Sequence, residues 1–193
     1  MIKIFTGIVT FFMTFCFLLY PAQSKSDHPF GLEQEVVYLK NNIHYQHHAN
    51  DNKASYANWT NPGEGHEIIP VNSPVKIGKW GKGFKIIKNE DGTEVLFEYH
   101  KKRMNMSIDD YLKLITSTSP ISLDDLSEID KNGIQEGKAY RGMTKDGVRM
   151  ALGYPATHKT SSLESNTWIY WTNRFGTIAV EFNEQGIVES ITD

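Results

Sequence analysis

The sequence predicts an α+β protein in two units. A small antiparallel β-barrel with one helix comes first, and two helices on a three-stranded antiparallel sheet follow. Three observations carry this reading. Short alternating segments separated by tight-turn residues fill the stretch from Ile68 to His100. Two helix-start signals, Ser122-Leu123-Asp124-Asp125 and Thr144-Lys145-Asp146-Gly147, stand beyond Ser119-Pro120. Three apolar segments of strand composition then run from Asn166 to Ile191.

The N-terminus is set apart first. Lys3 supplies a small positive region, Phe5 to Leu19 an uncharged apolar run, and Pro21-Ala22-Gln23-Ser24 the small residues that a signal peptidase reads. Residues 1–24 are therefore expected to be a signal peptide cleaved after Ser24; an uncleaved anchor is the other reading. Export to the periplasm or beyond follows from either one. Cys16 is the sole cysteine, and Phe15 stands where a lipoprotein signal needs a small residue. The mature chain then has neither a disulfide nor thiolate chemistry. Its charge is balanced over 25–118, with 12 basic and 12 acidic residues, and acidic over 119–193, with 7 and 11. Nucleic acid is a poor partner for such a distribution.

Within 25–118, Glu35 to Leu39 and Ile43 to Tyr45 have strand composition, and Gln46 to Glu67 reads as a long polar loop. Ile68 to Ile77 reads as a strand at an edge or bend, because Pro70 and Pro74 cannot donate to a ladder. Gly78, Gly81 and Gly83 turn the chain into Phe84 to Ile87, and Asp91-Gly92 turns it again into Thr93 to His100. Ser107-Ile108-Asp109-Asp110 opens a helix to about Ile115. Within 119–193, a helix is expected from Leu123 to Lys131, stopping before Asn132-Gly133. A second runs from a Thr144 cap to Gly153 and Pro155. The strands Asn166–Thr172, Gly176–Asn183 and Ile187–Ile191 then supply the surface on which so short a helix must dock.

Two resemblances follow from these residues. The turn spacing around Ile69 to Ile87, within residues 30–118, resembles the bacterial SH3-like domains of envelope proteins. Gly142-Met143-Thr144, Val148, Leu152-Gly153-Tyr154-Pro155, Trp168-Ile169-Tyr170 and Val180-Glu181-Phe182 before Gly186 resemble the SmpA/OmlA (BamE-type) small outer-membrane-assembly lipoproteins. The second resemblance implies a fold of two helices packed on a three-stranded antiparallel sheet, with Trp168 beneath the helices.

Candidate binding chemistry is sparse. His44, His47, His48 and His66, beside Glu67, have the ligand types that suit zinc, copper or nickel. A solvated polar loop accounts for them as well. Lys79 and Lys82 with Trp80 and Phe84 suggest an anion-holding rim with aromatic platforms, to which Tyr56 and Trp59 add ring surface. The three-residue period of Lys76, Lys79, Lys82, Lys85 and Lys88 also fits a solvated hairpin, since it sends successive lysines to opposite faces. Asp109-Asp110 and Asp124-Asp125 are explained by helix capping. No P-loop, dinucleotide fingerprint, nucleophile elbow or His-Glu-x-x-His occurs. The expectation is a cell-envelope binding or structural module without catalysis or cofactor, engaging an envelope protein or peptidoglycan. The alternative is a periplasmic protein binding metal or a small ligand at the His44–Glu67 loop. Membrane contact is expected only through an uncleaved signal segment.

Overall fold

The computed structural model describes residues 35–193. The expected signal segment lies outside them. Eight strands build one curled sheet: β1 (Val37–Leu39), β2 (Ile43–His47), β3 (Asn52–Ser55), β4 (His66–Ile69), β5 (Pro74–Trp80), β6 (Gly83–Lys88), β7 (Glu94–Glu98) and β8 (Thr116–Ser117). Their order is β4-β2-β3-β7-β6-β5-β1-β8. Neighbours run antiparallel except β3 and β7, which are parallel. Alternation decides what they bury. Val75 and Ile77, Phe84 and Ile86, and Val95 and Phe97 turn inward from three adjacent strands. After α1 (Lys101–Met104), α2 (Ile108–Ile115) closes this core with Tyr111, Leu112 and Ile115. The Tyr111 ring sits 5.7 Å from that of Phe97 and 5.1 Å from that of Tyr99.

Downstream lie α3 (Glu128–Glu136), α4 (Lys145–Leu152) and a three-stranded sheet, β11-β10-β9, formed by β9 (Thr167–Trp171), β10 (Thr177–Phe182) and β11 (Val188–Thr192). Met143, Val148 and Leu152 pack with Trp168, Val180, Phe182 and Val188 in a second apolar cluster. No helix of the described residues is long and apolar enough to cross a membrane.

The expected fold class is corrected. The described residues are mostly sheet, with an eight-stranded mixed sheet, a three-stranded sheet and four short helices. It is not a small SH3-like barrel followed by a BamE-like two-helix domain. The stretch Gln46–Glu67, expected as loop, contributes β3, whose Lys53, Ala54 and Ser55 align with Leu96, Phe97 and Glu98 of β7. Asn52-Lys53-Ala54-Ser55 has no apolar alternation, so its place is set by backbone pairing and not by pattern. Neither core respects the expected boundary. Ala156 belongs to the first, with Tyr154 and Trp171 packed against it, and Val71 packs on the second.

The boundaries of α3 are also corrected. Ser122 accepts from the Asp124 N–H and makes only a turn, whereas Ser127 accepts from the Asp130 N–H and starts the helix. Gly133, expected to stop it, lies inside. A Cβ there would run into Met143, so glycine permits the close approach of the Met143 side chain. The helix ends at Gly137, whose φ of 64° suits glycine.

The two parts are joined where these helices end. Asn42, 2% exposed, donates through Nδ2 to the Ile134 carbonyl of α3 at 2.6 Å and to the Ala151 carbonyl of α4 at 3.2 Å. Its Oδ1 accepts the Val71 N–H at 2.9 Å, and its own N–H donates to the Met150 carbonyl at 2.8 Å. C-terminal carbonyls of a helix have no partner within it. One side chain from the β1–β2 turn therefore caps two helices.

Replacing Asn42 by Ala strands the part-buried Val71 N–H and removes one donor each from the Ile134 and Ala151 carbonyls, which keep the Gly137 N–H and His44 Nε2–H. Asn42→Ala is expected to lower unfolding stability by about 3 kcal/mol, read from urea denaturation followed by tryptophan fluorescence. A loss below about 0.5 kcal/mol, ordinary for surface substitutions, would remove the cap from the account.

Candidate functional site

Several cavities open where the two parts meet, and two of them gather charged or aromatic side chains. The larger, about 670 Å³, is lined by residues including His66, Glu67, Glu136, Lys138, Leu152 and Ile178. Two of its carboxylates are held by neighbouring side chains. Glu67 accepts the Tyr45 hydroxyl, and Glu136 accepts from the Tyr140 hydroxyl at 2.6 Å and from Lys138 at 3.4 Å. Burial, and then the hydrogen bond to Glu67, pushes the Tyr45 phenol well above its ordinary value.

The smaller cavity, about 200 Å³, has walls of a different kind. Ser55, Tyr56, Ala57, Trp59, Glu98, His100 and Arg103 come from the first part, and Trp171 and Arg174 from the β9–β10 hairpin. Backbone bonds fix both sides. The Thr60 and Asn61 N–H groups donate to the Trp171 and Thr172 carbonyls, each at 2.9 Å, and Tyr56 N–H donates to Glu98 at 2.9 Å. His158 N–H donates to the Arg103 carbonyl at 3.1 Å, bringing the Pro155–Lys159 turn alongside. Asn58 and Trp59 both have positive φ, 66° and 34°. A left-handed backbone is uncommon for an aromatic residue and is retained where the surroundings hold it. Here Asn58 Nδ2 donates to the Tyr154 carbonyl at 2.5 Å, tying the turn down.

Rings and cations converge at this junction. The Tyr56 ring lies 5.4 Å from that of His100, edge-on, and the His158 ring stacks near Trp171 at 6.3 Å. Lys159 Nζ sits 5.2 Å from the Trp171 ring centre. Burial, and then the charges of Arg103 and Lys159, hold the His158 imidazole below its ordinary value. Neither Arg103 nor Arg174 is ion-paired among the described residues, and both are exposed. The indole Nε1 of Trp171 is buried without a hydrogen-bond partner among them. Such a site can hold an anionic group beside a flat face, with Ser55 and Glu98 available for polar contacts.

Of the residues singled out in the sequence, Tyr56 and Trp59 are at this junction. Trp80, Lys79 and Phe84 are elsewhere, bordering a 470 Å³ groove with Ile77, Ile108 and Leu112. Phe84 is no platform; it is 2% exposed and stacks on Phe97 at 4.6 Å. Lys82 is exposed at the hairpin tip, whereas Lys85 and Lys88 are paired with Glu94 and Asp91. The lysines form no continuous rim, and the hairpin and the Gln46–Glu67 stretch do not line one cavity.

The four histidines do not converge either. Among the described residues, no group of three or more His, Cys, Asp or Glu is placed to hold a metal ion. His47 bonds Asn52 at 2.7 Å, and His48 is exposed. His44, 3% exposed, stacks on His66 with ring centres 5.2 Å apart. A carbonyl can only accept, so His44 Nε2–H donates to Ala151 at 2.8 Å, and Nδ1 accepts from His66 Nε2–H at 3.0 Å. Both nitrogens of His44 are thereby used inside the protein, at the same seam that Asn42 caps.

Sequence reasoning missed His100, Arg103, His158, Lys159, Trp171 and Arg174 as site residues. The usable signal was Trp171-Thr172-Asn173-Arg174-Phe175, a turn carrying two rings and a cation. Its Phe175 is 87% exposed.

Fold and site together define a β-rich protein with a composite aromatic and cationic pocket at the junction of its parts. No family model matches the chain, and neither a curated protein nor a solved structure matches it.

Burial, the largest cause, lowers the His44 pKa from 6.5 to about 4. A depressed folded-state pKa gives stability that is complete above the unfolded value and is lost as pH falls. His44 is thus expected to cost the fold about 2 kcal/mol between pH 7 and pH 5, measured by urea denaturation at each pH. His44→Gln should flatten that slope, and an equally steep slope in the variant would assign the titration to another group.

Proposed function

We propose that the protein is a binding module of the bacterial cell envelope, exported and without catalysis, which engages a cell-wall or protein partner through the junction pocket. The observation that supports this reading is the convergence of Tyr56, Trp59, Trp171, Arg103 and Arg174 from both parts of the chain on one small cavity. Aromatic and arginine side chains are the types that contribute most to recognition surfaces. They are also held rather than loose, because the Trp59 turn is bonded to β9. The apolar N-terminal segment supports export.

The test is retention. The full chain is mixed with isolated peptidoglycan sacculi, or immobilised and exposed to envelope extract. Retention above that of a denatured control is expected. Arg103→Ala with Arg174→Ala should lower it roughly tenfold, as loss of charge-assisted bonds does. Retention of neither sacculi nor any envelope protein would overturn the reading.

A further inference from the structure

We infer that the junction pocket takes one acidic sugar unit, a pyranose ring bearing a carboxylate or phosphate. This inference rests on the binding-module reading and narrows its ligand. Size comes first. A cavity of about 200 Å³ admits a single ring and its substituents, not a helix or an extended peptide. Its walls then select the ring. Trp59 and Trp171, both half-buried, line the cavity from the two parts. Flat indoles suit the apolar face of a saccharide ring. Ser55 and Glu98 line the same cavity and can accept hydrogen bonds from ring hydroxyls.

Charge selects the substituent. Arg103 and Arg174 stand on opposite contributions to the pocket, one from α1 and one from the β9–β10 turn, with Lys159 beside Trp171. Glu98 is the carboxylate among the lining residues, and no ion pair with it uses up either guanidinium among the described residues. A planar guanidinium matches a carboxylate or a phosphate through paired N–H donors. A neutral sugar would leave these cations without a counter-charge, and a bare anion would make no use of the ring surface that Trp59 and Trp171 add to the lining. The larger cavity is a poorer fit for an anion, because Glu67, Glu136 and Asp193 line it with Lys138 as the lysine, which is already bonded to Glu136.

The test is calorimetric titration of the full chain with matched probes. N-acetylmuramic acid is compared with N-acetylglucosamine, and glucose 6-phosphate with glucose and with inorganic phosphate. The expected result is at least tenfold tighter binding of the acidic sugar in one pair or both, and the pair that responds identifies carboxylate or phosphate as the group recognised. Arg103→Gln with Arg174→Gln, at exposed positions that leave the fold intact, should erase the preference. Trp171→Phe should weaken both members of a pair together, and Lys82→Gln at the remote hairpin tip should change nothing. Equal affinity for acidic and neutral sugars overturns the inference, as does phosphate binding as tightly as glucose 6-phosphate. If no sugar binds while sacculi or an envelope protein are still retained, the sugar assignment fails and the binding-module reading stands. If nothing is retained, both fail.

Discussion

The structure depends on where the last carbonyl groups of two short helices find their partners. Helix α3 and helix α4 are eight or nine residues long, too short to persist alone. Their outer faces are wet and their inner faces meet one another and the three-stranded sheet. Their C-terminal carbonyls instead reach across to the turn between β1 and β2. Asn42 donates to Ile134 and Ala151, its backbone donates to Met150, and His44 donates to Ala151 again. These are buried bonds, so the penalty for breaking them is the full cost of stranding polar groups away from water. That constraint fixes the second part against the first. It also explains why Gly137 must be glycine, since a Cβ there would press on Ile68 and His44.

The junction pocket is a consequence of the same docking. With α4 anchored, the chain leaving it through Gly153 and Tyr154 carries Ala156 into the first core and His158 alongside Arg103. The β9 strand then lies against the Tyr56–Asn61 turn, and backbone bonds from Thr60 and Asn61 complete the contact. The rings and cations that line the pocket are therefore positioned by backbone geometry on both sides. A site assembled this way is sensitive to the relative placement of its two halves and to the two turns that carry Trp59 and Arg174. This is the arrangement expected of a preformed binding site.

A third consequence concerns buried polarity. Asp130 is fully buried yet accepts from the Thr144 N–H at 2.8 Å, from the Thr144 hydroxyl at 3.2 Å and from the Ser127 hydroxyl at 2.7 Å. It joins the starts of α3 and α4 as Asn42 joins their ends. Gly147, the third residue of α4, lies against this carboxylate and has no room for a side chain. The helix pair is thus tied at both ends by polar side chains, and the apolar contact between them can remain small.

The amino-acid sequence by itself determined the local elements whose signals are local. The Thr144 cap with its Gly147 N–H bond, the α2 start at Ser107, the alternation of Val95 and Phe97, and the last three strands follow from propensity, capping and period. What only the tertiary structure decided was pairing between segments far apart in the chain. The parallel match of β3 to β7 made one eight-stranded sheet where a small barrel was expected, because backbone hydrogen bonds leave no mark on the side chains that sequence reasoning reads. His44 looked like a metal ligand until its two nitrogens were seen to be committed to His66 and Ala151. Phe84 looked like a platform until Phe97 covered it. Tyr56 and Trp59 were visible as rings in a polar stretch, but their partners Trp171, Arg103 and Arg174 were not, because only docking brings those segments together. Capping and period are properties of neighbours, and a site made from both halves of a chain is not.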